Sequence, residues 1–278
     1  MRTLLCVVLV LTSLVGDIGA QDTAARVLLA TVVDARGRTV VDFGVDDFVV
    51  SEGSRNREVL DVHVADYPVA LLLDDQAPAA LWPAMQAAAI RFIIRIGERP
   101  VMIATLSDDG QIISALDAGR DRALERLRAF TPARGGTPTA LAAIAGASRH
   151  LTTTESPFSA VVVVSAGAVD AAAPVRADLL PGIVTSGASV HVVEERQATT
   201  TANEAGDDLL KVVADQTRGQ YTTIYSPASF SIALDRLADR LAAELMIQYL
   251  VPPGDRTGDA KVGVRRPGAL VLGLGVSK

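Results

Sequence analysis

Residues 70–78 read Ala-Leu-Leu-Leu-Asp-Asp-Gln-Ala-Pro, and this stretch decides the fold. An apolar run with no polar residue inside it is typical of a strand covered on both faces, as in a parallel sheet. The run ends at two carboxylates, Asp74 and Asp75, and Pro78 suits the first turn of a following helix. Because open α/β sheets bind ligands at the carboxyl ends of such strands, Asp74 and Asp75 are the first candidate site residues.

From Val69 onward the pattern alternates between strands and helices. We predict an α/β fold, doubly wound, with a mostly parallel six-stranded sheet and one antiparallel edge strand. The edge strand follows from Asp109-Gly110, a pair that favours a hairpin turn. The predicted strands are 69–73, 101–106, 112–116, 160–164, 189–193 and 219–224, and the predicted helices include 78–97, 120–130, 174–185, 205–216 and one ending near 244.

Short strands flank this region. Residues 21–66 are predicted to form an N-terminal β unit, and residues 246–278 a C-terminal β tail. Because each piece is too short to be stable alone, we expect them to pack together as one small sheet beside the main domain. His63 falls on the polar side of an alternating strand and is expected to lie on the surface.

The first 20 residues are predicted to be a signal peptide. Arg2 supplies a positive charge, residues 4–15 are hydrophobic, and the small residues before Gln21 offer a cleavage site after Ala20. The apolar run is shorter than the roughly 20 residues that a membrane span needs. We expect an exported protein, periplasmic or secreted, with no membrane span after cleavage; retention of the signal as an anchor is the alternative. Cys6, the only cysteine, would be removed with it.

The composition argues against binding of nucleic acid. The formal net charge is −6, and the basic residues are scattered along the chain instead of forming a stripe. Hydrophobic residues make up 49% of the 278 positions, which is enough for one large domain or for a medium and a small one.

The order of elements in residues 67–245 resembles that of a von Willebrand factor type A (vWA) domain. That family holds a divalent cation with three loops: Asp-x-Ser-x-Ser after the first strand, a threonine after a glycine pair, and an aspartate before a glycine after a later strand. Asp74 matches the first aspartate and Thr137 the threonine. The flanking segments 33–38, 46–53, 249–253 and 264–268 are similar to those of exported bacterial proteins related to this domain.

Three of the family's ligand positions are changed in this chain. Gln76 and Pro78 stand in place of the two serines, and Ala166 stands in place of the last aspartate. Mg²⁺ demands near-octahedral oxygen ligation, usually with one or two carboxylates, and proline and alanine supply no side-chain oxygen. The resemblance therefore implies a degenerate metal site of Asp74, Gln76 and Thr137, and no cofactor is expected, with Mg²⁺ as the alternative.

The leading hypothesis is a non-catalytic, exported protein-binding or scaffold module, not an enzyme. An unidentified protein partner would dock on a loop face formed by residues 74–80, 131–138 and 165–172, without a metal ion. The candidate residues of that face are Asp74, Asp75, Gln76, Arg134, Thr137 and Ser165. For Asp74 itself, two structural roles are open: capping of the next helix, or acceptance of backbone N–H bonds near the Thr137 loop.

Two other functions stay open. One is a metal-dependent adhesion module with an altered ion site. The other is a hydrolase that uses Asp74 or Ser165, although Ser165 lacks the glycine two residues before it that a nucleophile elbow has. No histidine has a sequence context that links it to Ser165, which places the hydrolase last.

Overall fold

The computed structural model describes residues 24–53, 55–107, 110–133, 135–136, 139–167, 177–196, 209–252 and 258–277. The predicted signal peptide, Arg134 and Thr137 lie outside these residues. Within the described ranges, no helix combines the length and the apolar character needed to cross a membrane.

The strands and helices follow one another in a regular order. The strands are β1 (Ala24–Val33), β2 (Thr39–Val40), β3 (Phe48–Glu52), β4 (Arg55–Arg57), β5 (Val59–Val64), β6 (Val69–Leu73), β7 (Val101–Thr105), β8 (Ile112–Ser114), β9 (Ala160–Ser165), β10 (Ser189–Glu195), β11 (Tyr221–Ile224), β12 (Glu244–Val251), β13 (Ala260–Val264) and β14 (Leu270–Val276). The helices are α1 (Trp82–Arg95), α2 (Arg120–Ala129), α3 (Ala140–Thr152), α4 (Leu180–Thr185), α5 (Leu209–Gln216) and α6 (Ser229–Ala242).

The central sheet has six strands in the order β11-β10-β9-β6-β7-β8. β6 runs parallel to both β7 and β9, β10 runs parallel to β9 and β11, and β8 is antiparallel to β7 at the edge. The prediction of an α/β fold around a six-stranded sheet is confirmed. Because β6, β7 and β9 are parallel, the loops that follow them lie together at the carboxyl ends of the strands.

Helices cover both faces of this sheet. Side chains of a strand alternate between faces, so Leu71 and Leu73 point to one side and Ala70 and Leu72 to the other. The first side packs against α1, α2 and α6, and the second against α3, α4 and α5. All five residues of β6 are buried, which explains why its sequence has no polar interruption.

The flanking segments form two sheets, which corrects the expectation of one. A larger sheet runs β14-β1-β12-β5 with β2 attached to β1, and a smaller one runs β13-β3-β4. Leu29 and Met246 of the larger sheet join the core beneath α1 and α6, whereas Leu28 and Ile247 face the smaller sheet. The outer face of β1 and β12 is apolar, and the smaller sheet covers it. The residues of that face include Leu28, Ala30, Val32, Leu245, Ile247 and Tyr249.

Helix α1 begins later than the sequence predicts. Pro78 starts a turn, in which the N–H of Leu81 donates to the Pro78 carbonyl at 2.8 Å, and the helix follows at Trp82. Pro83 occupies the first helical turn, where its missing N–H costs nothing. Residues 78–81 therefore extend the loop after β6.

Candidate functional site

Asp74 lies directly after β6 and is almost completely buried, with 7% of its surface exposed. Its Oδ1 accepts the N–H of Gln76 and its Oδ2 accepts the N–H of Ala166, both at 3.0 Å. Burial raises the pKa of Asp74, and the two backbone donors oppose that rise. Asp74 thus ties the end of β6 to the loop after β9; it does not cap α1, whose N-cap position is Leu81.

Asp75 is buried as well, but it is turned toward β7. Its Oδ1 accepts the N–H of Ser107 at 3.1 Å, and its Oδ2 accepts the Ser107 hydroxyl. The side-chain amide of Gln76 donates to the same Oδ2 at 2.9 Å. Asp75 therefore links the loop after β6 to the loop after β7.

Gln76 connects this loop to a third one. Its Nε2 donates to the carbonyl of Ala133 at 3.1 Å, and its Oε1 accepts the N–H of Gly135 at 2.9 Å. Gln76 is therefore hydrogen-bonded to the main chain at Ala133 and at Gly135. The side-chain oxygen that the sequence offers as a possible metal ligand is therefore engaged by a backbone donor.

Ser165 is the last residue of β9 and has no exposed surface. Its hydroxyl donates to the carbonyl of Gly167 at 2.8 Å. The buried histidine of the sheet, His191, contacts Ser189 and the N–H of Gln220 instead. The described contacts thus hold Ser165 as a structural donor.

The fold brings four of the six predicted face residues together: Asp74, Asp75, Gln76 and Ser165. Arg134, Thr137 and residues 168–172 lie outside the described residues. Gln76 is partly exposed, and the exposed positions described around it are small and uncharged: Pro78, Ala79, Ala80, Thr131, Ala133 and Gly135. The described part of the loop face therefore carries little charge at its surface, and the carboxylates of Asp74 and Asp75 lie beneath it.

Sequence reasoning missed two buried charged clusters. Glu244 accepts the Tyr67 hydroxyl and lies 3.6 Å from Nη2 of Arg99. Glu52 pairs with Arg26 and Arg57 between the flanking sheets. The sequence signal is a glutamate at one end of a mostly apolar strand, and it does not reveal the distant arginine partners.

Comparison with known proteins rests on structure. No protein-family model matches the chain, and no curated protein matches it in sequence. A von Willebrand factor type A protein from Catenulispora acidiphila superposes with a TM-score of 0.53 and 12% identity, over 92% of this chain and 74% of that one. The chain has a vWA-like fold.

Two further structures agree with this vWA-like fold. The conserved hypothetical protein BatB from Bacteroides thetaiotaomicron matches at a TM-score of 0.50 and 15% identity, over 63% of this chain and 98% of that one. Proximal thread matrix protein 1 of the mussel byssus, with a zinc-occupied MIDAS motif, matches at a TM-score of 0.50 and 13% identity. The match covers 64% of this chain and 48% of that one. Identities this low establish the fold and leave the site to be argued from its own residues.

Proposed function

We propose that this chain is a non-catalytic, exported module that binds a protein partner through its loop face without a metal ion. The observation that carries the proposal is the direct bonding among the loops. Asp74, Asp75 and Gln76 hold the loops after β7 and β9 and the Ala133–Gly135 segment through hydrogen bonds of the protein itself. A face held in this way needs no ion to order it.

The donor set does not fit a usual Mg²⁺ site. Pro78 and Ala166 have no side-chain oxygen, and Oε1 of Gln76 accepts a backbone N–H. Among the described residues, no group of three or more His, Cys, Asp or Glu side chains is placed to hold a metal. Asp74 is then a structural acceptor, which supports binding without metal.

The same contacts support a non-catalytic role. A nucleophile needs a neighbouring base and access to substrate. Ser165 is enclosed and donates to Gly167, and Asp74 accepts two backbone N–H groups. Export rests on the hydrophobic N-terminal segment with its cleavage site before Gln21.

Titration calorimetry with Mg²⁺ and Mn²⁺ on the full chain tests metal independence. We expect no saturable heat at micromolar concentrations and no difference between the wild type and Asp74→Ala. Micromolar binding that Asp74→Ala abolishes would instead establish the metal-dependent adhesion module.

Site-specific photo-cross-linking in the cell envelope tests the partner surface. A cross-linker at Ala79 or Ala133, both exposed on the loop face, should capture the same protein, in the presence or absence of a chelator. A cross-linker at Val212, exposed on α5, is the control and should not capture it. Equal capture from Val212, or loss of capture with chelator, would reject the proposal.

A further inference from the structure

A cavity of about 250 Å³ lies at the amino-terminal ends of the parallel strands, and the loop face lies at their carboxyl ends. It is bounded by residues that precede β6, β9 and β11 or begin β10, and by β1 and β14 of the larger flanking sheet. The cavity therefore sits where the central sheet meets the flanking sheets. Its volume is near the lower end of ligand pockets, which are roughly 300–1,000 Å³, so it suits a small molecule.

Two arginines give this cavity a positive charge. Arg240 comes from α6, is partly buried, and donates to Oε1 of Gln220 at 3.0 Å. Arg218 lies at the exposed mouth, where its guanidinium packs over β14: a Cβ built on Gly275 would lie 3.0 Å from Nη1. Within the described part of the chain, no carboxylate oxygen lies within 4 Å of a guanidinium nitrogen of Arg218 or Arg240.

The backbone around Arg218 is held in an uncommon conformation. Arg218 has a φ of 60°, in the left-handed region that residues other than glycine rarely adopt. The next residue, Gly219, lies so close to Val190 that a Cβ there would be 1.7 Å from the Val190 carbonyl oxygen. This close approach fixes the turn that presents Arg218, and such fixed outliers cluster at ligand sites.

The acidic residue of the cavity does not cancel this charge. Glu244 accepts the Tyr67 hydroxyl and lies 3.6 Å from Arg99, whose guanidinium also covers the Tyr67 ring at 4.0 Å. Burial raises the pKa of Glu244. Arg99 and Arg240 both act on the Glu244 carboxylate and oppose that rise. One carboxylate therefore faces three guanidinium groups, those of Arg99, Arg218 and Arg240, and the cavity keeps a net positive charge.

His191 adds a neutral donor to the cavity wall. Its Nδ1 accepts the N–H of Gln220 at 3.2 Å, so the proton of the neutral ring is on Nε2, 3.3 Å from the Ser189 hydroxyl. Burial, with help from Arg240, lowers the pKa of His191 to about 3. The ring is uncharged at neutral pH.

We propose that this cavity binds a small organic carboxylate, held between Arg218 and Arg240 with its apolar body against Leu29, Phe158 and Leu274. Arginine matches a carboxylate through paired, charge-assisted hydrogen bonds. Leu29, Phe158 and Leu274 line the same cavity and would cover an apolar body. The site is separate from the loop face, so the two proposals stand or fall independently.

Calorimetric titration of the full chain with benzoate tests the proposal. Benzoate should bind saturably, and Arg218→Gln and Arg240→Gln should each weaken binding about tenfold or more, since a charged hydrogen bond contributes roughly 1.5–3 kcal/mol. Arg236→Gln, an exposed arginine one helical turn earlier on α6, should leave binding unchanged. Binding that is unaffected by both variants, or absent from the wild type, would overturn the proposal.

Two further measurements sharpen this test. Inorganic phosphate, titrated in parallel, should bind much more weakly than benzoate, and equal binding would overturn the assignment to an organic carboxylate. In NMR spectra, benzoate should shift the imidazole signals of His191 and leave those of the exposed His63 unchanged; the reverse would place benzoate elsewhere. If Arg240→Gln fails to fold, Arg218→Gln at the exposed mouth carries the test.

Discussion

The side-chain oxygen of Gln76 accepts a hydrogen bond from the N–H of Gly135, with 2.9 Å between Oε1 and N. The two residues are 59 positions apart in the chain. Nε2 of the same amide donates to Ala133. The vWA family has a metal-binding serine at this position. In this chain the side-chain amide of Gln76 joins two loops directly.

Gln76→Ala is expected to loosen the loop that contains Gly135. Loss of the bonds to Ala133, Gly135 and Asp75 should lower the free energy of unfolding by about 1–3 kcal/mol, because each hydrogen bond contributes roughly 0.5–1.5 kcal/mol and the site is partly exposed. Urea denaturation measures the loss, and hydrogen exchange should accelerate in residues 131–136. Gln216→Ala, at an exposed position on α5, is the control. Equal effects of the two changes would contradict a stabilising role for the hydrogen bonds of Gln76.

Restoring the family's ligands is expected to create a metal site. The triple change Gln76→Ser, Pro78→Ser and Ala166→Asp returns the missing side-chain oxygens around Asp74, so Mg²⁺ should raise the melting temperature of the variant and not that of the wild type. A ligand at about 100 times its Kd stabilises a fold by roughly 2.7 kcal/mol. Adding Asp74→Ala to the triple variant should remove the response. An equal rise in the melting temperature of the wild type with Mg²⁺ would show that Gln76, Pro78 and Ala166 do not prevent metal binding.

His191 is expected to make the fold sensitive to acid. Its pKa is lowered to about 3 in the folded chain, against 6.5 ordinarily, so between these values the unfolded chain binds a proton that the folded chain does not. Stability should therefore fall as pH falls through this window. From pH 7 to pH 5 the wild type should lose about 2 kcal/mol more than His191→Gln.

Urea unfolding at several pH values between 4 and 7 measures this difference. His150→Gln, at the exposed end of α3, is the control and should follow the wild type. A His191→Gln profile parallel to that of the wild type would exclude His191 as the cause.

Glu52 is expected to be essential to the flanking sheets. Its side chain is fully buried between Arg26 and Arg57, and its Oε1 also accepts the N–H of Gly258 at 3.3 Å. Glu52→Ala removes the carboxylate that balances two guanidinium groups, which should cost roughly 3–5 kcal/mol.

The surface pair Arg95–Asp239 provides the matched control for Glu52. Both side chains are well exposed and screened by solvent, so Asp239→Ala should cost far less than Glu52→Ala in the same urea titration. Similar losses from the two changes would contradict a structural role of the buried cluster.

Local sequence patterns predicted the secondary structure that depends on neighbouring residues, such as strand β6 and the hairpin of β7 and β8. The uninterrupted run before Asp74 indicated a strand with two buried faces, and β6 has both faces buried. Asp109-Gly110 indicated a hairpin, and β7 and β8 are antiparallel. The predicted start of helix α1 at residue 78 is wrong, because Pro83, and not Pro78, lies in the first helical turn.

The flanking sheets depend on pairings that no local pattern encodes. β1 pairs with β12 and β14, which lie more than 200 residues later. The residues of each strand predicted a strand, but they did not predict two separate sheets. The division follows from tertiary packing: one face of β1 packs on the core of the main domain and the other on the smaller sheet.

The sequence by itself determined the order of strands and helices, because periodicity is a local property. The resemblance to the vWA family then identified positions 78 and 166 as ligand positions without a side-chain oxygen. Only the tertiary structure decided what replaces those oxygens. The partners of Gln76, Asp75 and Asp74 are 59, 32 and 92 residues away, and parallel strands bring them to one edge. Hydrogen bonds between loops depend on distance in space, and distance in space is set by the packing of the whole sheet.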